Sequence, residues 1–420
     1  PSPVSGERVQ VTGGLTFRGE GVHRGYPFVR LDARVSYLDH TLDVETARFE
    51  GADGAGLNAQ ARVNFRQQLA SLWIQNQLPR AAVEHLSPIP LSRVLEDLAL
   101  RVEGRSNVDL HFGPSPFTAF GQKVRGHVDV SDAFYRDAFF PELSLDLDFA
   151  DNVLILENIQ AEVGQGRQRG PASGALRYDH ASGELILQAE AAFNPAAILS
   201  LVDQEEAEQA LREWMFTGPP QHIALQLRQQ NRDAPLRMSL QVDAREVLSR
   251  GTFFAEVNAR LELTEETLRI YPLRATRGDA WLEGDLTWLL EEDLLRVEAL
   301  STFPLPDLAP LIGPEAVTLL QPYRFRGENW LRVHGTVDLT DAHRNELQGK
   351  AHLHDVIWEW MIFDQLTFSF DLQGQSLASD DFHGILNLGA AEGFLRFEQI
   401  FDPREASFQA KISGQNIDLF

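Results

Sequence analysis

Four segments with the same alternation of apolar and polar residues recur along the chain, and this repeat constrains the fold more than any other feature. The segments cover residues 28–65, 140–178, 254–288 and 363–397. Their first residues are phenylalanines, which are separated by 112, 114 and 109 positions. A period this long predicts repeated multi-strand units, because the coils of a parallel β-helix repeat about every 20 to 30 residues.

The alternation inside each segment predicts β-strands with one apolar face. Leu143, Leu145 and Leu147 are separated by polar residues that include Asp146 and Asp148. A period of two places the leucines on one side of a strand and the aspartates on the solvated side. Short polar connectors favour hairpins, so each segment is predicted to be an antiparallel meander of strands roughly 6 to 10 residues long.

Two further sequence pieces recur around these meanders. A strand is expected at Gly126–Asp129, and corresponding strands at Leu240–Asp243 and Gly335–Asp338. Proline-rich segments predict short helical inserts, since proline is favoured at the first helical position. These inserts are Pro79–Leu98, Pro195–Trp214 and Pro304–Leu320.

The predicted fold is mostly β: an extended, highly curved antiparallel sheet that forms a β-groove, built from about four repeats with short α-helical inserts. We expect one continuous groove rather than separate domains, because no linker interrupts the repeats. The expected divisions are leading strands at 1–27, repeat 1 at 28–138, repeat 2 at 139–252, repeat 3 at 253–362 and a partial repeat 4 at 363–420.

Composition excludes several classes of function. The chain has 420 residues and a formal net charge of −24, which argues against nucleic acid as a partner because phosphate binding needs a basic face. It contains no cysteine, so disulfides, thiolate metal sites and cysteine nucleophiles are excluded. The chain begins Pro1-Ser2-Pro3, which we interpret as the start of a processed protein or of a fragment.

An apolar sheet face must be covered by something. If no second sheet covers it, hydrocarbon chains are a suitable cover, because each buried CH₂ contributes roughly 0.8 kcal/mol. The predicted lining of such a groove consists of the alternating apolar residues of the repeats. They are Val29, Leu31, Val35, Leu57, Val63, Phe65, Leu143, Leu145, Leu147, Phe149, Val257, Leu261, Leu263, Leu282, Leu286, Trp288, Leu366, Phe368, Phe370, Leu372, Leu386 and Leu388.

Four stretches give the chain a resemblance to a known family. They are Gly-Thr-Val-Asp-Leu-Thr-Asp-Ala (335–342), Leu-Thr-Phe-Ser-Phe-Asp-Leu (366–372), Phe-His-Gly-Ile-Leu-Asn-Leu (382–388) and Phe-Asn-Pro-Ala-Ala-Ile-Leu-Ser-Leu-Val (193–202). In these recurring short strand patterns the chain resembles the AsmA-like proteins of Gram-negative envelopes, the group that includes AsmA and TamB. These belong to the repeating β-groove, bridge-like lipid-transfer proteins.

The resemblance implies a periplasmic protein anchored in the inner membrane by an N-terminal helix, which we expect to belong to a longer parent protein. It also implies a role in cell-envelope homeostasis and outer-membrane biogenesis. Phospholipid or another acyl-chain lipid would pass along the groove as an intermembrane bridge, with a partner at the outer membrane. No catalytic residue and no cofactor is implied.

Candidate sites for other chemistry have simpler interpretations. His352 and His354 alternate along a predicted strand and could share a metal ion, but a solvated strand face is favoured. Asp146 and Asp148 also fit a solvated face better than a catalytic carboxylate pair. We therefore expect no enzyme, no catalytic residue and no metal site.

Two alternatives remain open. A structural or adhesion protein built of β-sandwich repeats would bury its apolar faces against each other and would carry no ligand. A polysaccharide-acting β-enzyme would need carboxylates and aromatic residues clustered on one face, and the sequence contains no such cluster.

Overall fold

The structure is a computed structural model of the chain, and it describes most residues. The described ranges are 10–23, 26–52, 54–79, 100–119, 123–135, 138–164, 169–193, 214–219, 221–312, 317–318, 320–358, 361–386, 389–398 and 407–415.

The chain divides into two compact units. The first unit comprises Pro1–Glu208 and Gln226–Ala234, and the second comprises Gln209–Leu225 and Pro235–Phe420. The first unit contains β1 (Val11–His23), β2 (Tyr26–Leu38), β3 (Thr41–Gly51), β4 (Gly56–Asn64), β5 (Leu69–Pro79), β6 (Leu100–Val102), β7 (Arg105–Pro116), β8 (Lys123–Tyr135), β9 (Ala138–Ala150), β10 (Val153–Val163), β11 (Gly170–Asp179) and β12 (Leu185–Phe193).

The second unit contains most of the remaining elements, and the division between the units passes through β14 (Gln221–Gln229). The other strands are β13 (Trp214–Phe216), β15 (Arg237–Ser249), β16 (Thr252–Leu263), β17 (Thr267–Arg277), β18 (Ala280–Leu289), β19 (Leu294–Ser301), β20 (Tyr323–Phe325), β21 (Asn329–Asp338), β22 (Glu346–Trp358), β23 (Met361–Gln373), β24 (Ser376–Leu386), β25 (Gly389–Glu398) and β26 (Ser407–Gln415). Helix α1 (Leu305–Ile312), further helical residues at 317, 318 and 320, and short 3₁₀ turns at Phe117–Ala119 and Ala342–Arg344 complete the described elements.

Each unit is an open antiparallel sheet in which long strands pair in chain order. The pairing runs through β2–β3, β3–β4 and β4–β5 in the first unit, and through β15–β16, β16–β17 and β17–β18 in the second. Tight turns join the strands, and several place a non-glycine residue at positive φ, as at Asp151 and Asn152. The prediction of a mostly-β, antiparallel fold is therefore confirmed.

The phenylalanines that begin the four sequence segments lie seven strands apart. Phe28 is in β2, Phe140 in β9, Phe254 in β16 and Phe363 in β23. The three-residue strands β6, β13 and β20 are also seven strands apart, and each pairs with the strand two places further along the chain. Strand spacing thus has the period of the sequence pattern, while the count of four repeats and the boundaries at 28–138, 139–252, 253–362 and 363–420 stay predictions.

A glycine follows each short strand at a close approach of two backbones. A Cβ on Gly218 would lie 2.6 Å from the carbonyl oxygen of Arg245, and Gly104 and Gly327 are similarly crowded. In each case the residue that follows the one approached by the glycine has a positive φ. Glu246, which follows Arg245, has a φ of 52°. The backbone N–H of Thr217 donates a hydrogen bond of 3.0 Å to the carbonyl oxygen of Glu246. This distance is typical of backbone hydrogen bonds.

One predicted correspondence between repeats is wrong. Gly126–Asp129 lies in β8 and Leu240–Asp243 in β15, so the seven-strand spacing places their counterpart in β22. Gly335–Asp338 lies in β21, one strand too early. Its Gly-x-Val-Asp letters match because neighbouring strands of one sheet share the same apolar alternation.

Helical structure is confined to a small part of the described chain. Helix α1 lies within the predicted insert Pro304–Leu320. The inserts predicted at Pro79–Leu98 and Pro195–Trp214 fall almost entirely outside the described residues, and only their terminal residues Pro79 and Trp214 are described, both in strands.

Candidate functional site

Apolar side chains lie opposite each other across successive strands of the first unit. Leu31 of β2 pairs with Phe49 of β3, which pairs with Leu57 of β4. Directly opposed residues in an antiparallel pair point to the same face. Further along the sheet, Leu145 of β9 lies opposite Val128 of β8. One face of the described sheet in this unit is therefore apolar across strand after strand.

The second unit has the same arrangement. Leu261 of β16 pairs with Ile270 of β17, which pairs with Leu286 of β18. Near the end of the chain Leu353 of β22 pairs with Leu366 of β23. We call the side that these residues share the apolar face of each unit.

The predicted lining residues differ in how far they are covered. Phe65 is exposed, at 51%, and Leu388 lies outside the described residues. Val29 is the unpaired residue of a bulge between Phe28 and Arg30, so the alternation does not fix its face. Val257, Leu366, Leu372 and Leu386 are buried. The other members are half-buried: Val29, Leu31, Val35, Leu57, Val63, Leu143, Leu145, Leu147, Phe149, Leu261, Leu263, Leu282, Leu286, Trp288, Phe368 and Phe370.

Helix α1 covers part of the apolar face in the second unit. Leu308 packs into a buried cluster with Val257, Phe254 and Phe303. Asp307 forms an ion pair with Arg277 of β17, and its carbonyl oxygen accepts a hydrogen bond of 2.6 Å from the Thr252 hydroxyl. These polar contacts fix the helix on the sheet, because an apolar contact alone does not set an orientation.

An apolar cavity of ≈ 310 Å³ lies beside this covered region, between the start of α1 and strands β20 and β22 to β25. Its volume is at the lower end of the range of about 300 to 1,000 Å³ that is typical of small-molecule sites. Burial raises the pKa of the Tyr323 phenol at one wall. The lining is Leu305, Leu320, Tyr323, Phe325, Leu353, Val356, Phe363, Leu366, Phe368, Phe370, Leu377, Ser379, Phe382, Leu395 and Phe397.

Ser379 supplies a polar atom to this apolar lining. The residue is 6% exposed, and its hydroxyl oxygen has no hydrogen-bond partner among the described residues. An unpaired buried hydroxyl is destabilising. A ligand with an acceptor or donor near Ser379 would satisfy this group.

The sequence predicted only part of the cavity lining. Leu366, Phe368 and Phe370 were among the predicted residues, whereas Leu377, Leu395 and Phe397 were not. Leu377 pairs with Leu372 and Phe397, and the same alternation continues through β24 and β25. Following the period of two past a register shift between Ser379 and Phe382 would have identified them.

The opposite face of each sheet is polar and carries cross-strand ion pairs. In the first unit Arg125 of β8 contacts Asp148 of β9 at 2.6 Å. In the second unit Arg269 of β17 contacts Asp285 of β18 at 2.6 Å. Asp146 and Asp148 lie on this face, as predicted from their alternation with leucines. Exposed pairs of this kind contribute about 0 to 1 kcal/mol each, so they keep the face solvated more than they hold the fold.

His127 is held between two carboxylates on the polar face of the first unit. Its Nδ1 is 2.7 Å from Asp146 and its Nε2 is 3.0 Å from Asp129. The Ser144 hydroxyl is 3.2 Å from the same Nε2. The hydrogen bond to Asp146 is the main reason that the pKa of His127 lies above its ordinary value. The ring therefore bridges β8 and β9, with both nitrogens engaged.

His352 and His354 form the second histidine cluster, on the polar face of β22. Their Nε2 atoms are 2.9 Å apart, and Nδ1 of His352 is 2.6 Å from the Thr367 hydroxyl. Within the described residues no group of three or more His, Asp or Glu side chains is placed to hold a metal ion. The helical part of the described chain includes no segment long and apolar enough to cross a bilayer.

Comparison of the chain with protein-family models, with curated proteins and with solved structures finds no match.

Proposed function

We propose that the apolar faces of this protein bind the acyl chains of lipids and that the protein transfers lipid without catalysing a reaction. The observation that carries the proposal is the ≈ 310 Å³ cavity, whose lining is apolar except for the hydroxyls of Ser379 and Tyr323. Such a lining recognises hydrocarbon, because it offers no charge to bind an ionic group.

The energetics of an acyl chain fit this face. Each buried CH₂ contributes roughly 0.8 kcal/mol, so a chain of ten carbons in contact with the sheet would be held by several kcal/mol. These contacts are non-directional, and a bound chain can therefore move from one strand to the next without losing a specific bond. Half-buried residues of the same unit, such as Leu261, would add contacts of the same kind beyond the cavity.

The wider role rests on the resemblance to AsmA-like proteins. We propose a periplasmic location, attachment to the inner membrane through an N-terminal anchor outside this chain, and passage of phospholipid toward a partner at the outer membrane. The curved groove and its four repeats belong to this proposal. The net charge of −24 is compatible with an open apolar face, because copies of a strongly charged protein repel each other and the face is then less prone to self-association.

The β-sandwich alternative predicts a different environment for the same residues. Facing residues of a sandwich are buried between two sheets about 10 Å apart. In the first unit Leu143, Leu145 and Leu147 are only half-buried, and Leu15 on β1 is 58% exposed. This exposure favours a face that is open to a ligand.

Binding of a fluorescent fatty acid tests the proposal at the cavity. Leu377 and Ala378 are neighbours on β24, and only Leu377 lines the cavity. Leu377→Trp fills the cavity with apolar volume and should weaken binding at least tenfold. Ala378→Trp adds an indole on the opposite face and should leave binding unchanged. Equal affinity of both variants and the original protein, with all three folded by circular dichroism, would contradict the proposal.

A further inference from the structure

His352 and His354 face the same side of β22, next to two polar residues of β23. His352 lies opposite Thr367, and His354 lies opposite Gln365. A hydrogen bond of 2.9 Å joins their Nε2 atoms, and a metal ion bound by both nitrogens would replace it. The side-chain nitrogen of Gln365 is 3.4 Å from Nε2 of His352. Three side chains therefore converge on one point of the polar face.

The separation of the two nitrogens fits neighbouring ligands of one metal ion. With metal–nitrogen bonds of about 2.0 to 2.1 Å, two nitrogens 2.9 Å apart subtend an angle of about 90° at the metal. A tetrahedral zinc ion would need them about 3.3 Å apart. The spacing is therefore that of adjacent positions in a square-planar or octahedral ion, the geometry typical of Cu²⁺ and Ni²⁺.

The orientation of the rings agrees with this reading. Their centroids are 4.7 Å apart and their planes are inclined at 76°. Two imidazoles bound at right angles to one ion would have centroids about 4.5 Å apart, since each ring centre lies about 1.1 Å beyond its ligating nitrogen. The inclination excludes a parallel stack, and the same rings form an edge-to-face pair when no ion is bound.

The surroundings of His352 allow its Nε2 atom to act as the ligand, and metal binding requires such a free lone pair. The Nδ1 atom lies 2.6 Å from the Thr367 hydroxyl, and a hydrogen donated from Nδ1 to that oxygen leaves the lone pair on Nε2. His127 differs, because carboxylates engage both of its ring nitrogens.

We propose that His352 and His354 form a two-imidazole chelate for a divalent transition-metal ion of tetragonal geometry, Cu²⁺ or Ni²⁺. Gln365 would supply a third ligand when its amide is turned so that the oxygen faces the ion. Water would complete the coordination. The site is independent of the apolar faces, because successive residues of β22 point to opposite sides of the sheet.

Titration of the protein with Cu²⁺, followed by electron paramagnetic resonance, tests the chelate after removal of any purification tag. The original protein should show coupling to two imidazole nitrogens. His352→Ala or His354→Ala should remove one nitrogen from the spectrum and weaken binding at least tenfold. His334→Ala is the matched control, since it removes a histidine from the neighbouring strand β21 and should change neither result.

Thermal unfolding in the absence of metal identifies any variant that has lost the fold, and such a variant is excluded from the comparison. His352→Asn keeps a polar side chain beside Thr367 and serves as the second variant. Two results would overturn the proposal: a single coupled nitrogen in the original protein, or equal Cu²⁺ affinity for the original protein and a folded His352→Asn variant. Titration with Ni²⁺ should give the same order of affinities.

Discussion

Leu353 of β22 and Leu366 of β23 lie directly opposite each other, and both are buried in the wall of the apolar cavity. The adjacent pair, His352 and Thr367, points to the other side of the same sheet and joins a polar network. A shift of one residue therefore separates a hydrocarbon environment from a metal-binding one. Strand register is what positions both candidate sites.

Leu366→Ala should destabilise the protein by about 2 to 5 kcal/mol, because it removes a buried side chain and enlarges a cavity that is already present. His383→Ala, on the exposed face of β24, should change stability by about 0.5 kcal/mol or less. Denaturant unfolding of the two variants measures the difference. Equal stabilities would show that the apolar face near Leu366 is not packed as described.

Ser379→Ala should leave the free energy of unfolding unchanged or raise it, because the buried Ser379 hydroxyl has no partner among the described residues. Ser301 is a buried serine with partners, since it accepts from the Phe303 amide at 3.0 Å and donates to the Trp281 carbonyl at 3.3 Å. Ser301→Ala should therefore cost about 0.5 to 1.5 kcal/mol. A larger loss for Ser379→Ala than for Ser301→Ala would contradict this assignment.

Gly218→Ala should destabilise the second unit by about 1 to 3 kcal/mol, because its Cβ would lie 2.6 Å from the carbonyl oxygen of Arg245. Gly56 is the control, since a Cβ there has open space on all sides. Gly56→Ala should be close to neutral in thermal unfolding. If Gly218→Ala leaves the stability unchanged, close backbone approach does not explain the glycine after each short strand.

The two histidine clusters should respond to pH with opposite signs. The pKa of His127 is raised, so its stabilising effect is complete below the ordinary value and is lost as pH rises through the folded-state pKa. The pKa of His352 is lowered, so its protonation destabilises the fold as pH falls below the ordinary value. NMR titration of the two imidazoles should give a higher pKa for His127 than for His352. His127→Gln should remove the loss of stability on the alkaline side, and an unchanged profile would contradict the assignment.

The sequence predicted the features that depend on alternation. Strands of period two, an apolar face and a polar face follow from residues such as Leu143 to Phe149, because burial selects side chains at every second position. The predicted lining reached the cavity at Leu366, Phe368 and Phe370 for the same reason.

Features set by contacts between distant strands could not be predicted in this way. The equivalence of β8, β15 and β22 is seen from their pairing with the three-residue strands β6, β13 and β20. The sequence of Gly335–Asp338 is similar to that of Gly126–Asp129, but it lies in β21 and not in β22. The convergence of His352 and His354 depends on side-chain rotation within one strand face. Alternation places both residues on the same side but does not bring their nitrogens to 2.9 Å.

Mass spectrometry of lipid extracted from the purified protein tests the central claim most directly. The original protein should carry phospholipid or another acyl-chain lipid. Leu145→Asp, Leu261→Asp and Phe368→Asp place a charge on the apolar faces and should reduce the extracted lipid severalfold, since a carboxylate is costly to bury against hydrocarbon. Ala378→Asp places the same charge on the polar face opposite Arg396 and should leave the lipid in place. Absence of lipid from the folded original protein, or equal lipid in all four folded variants, would contradict the account.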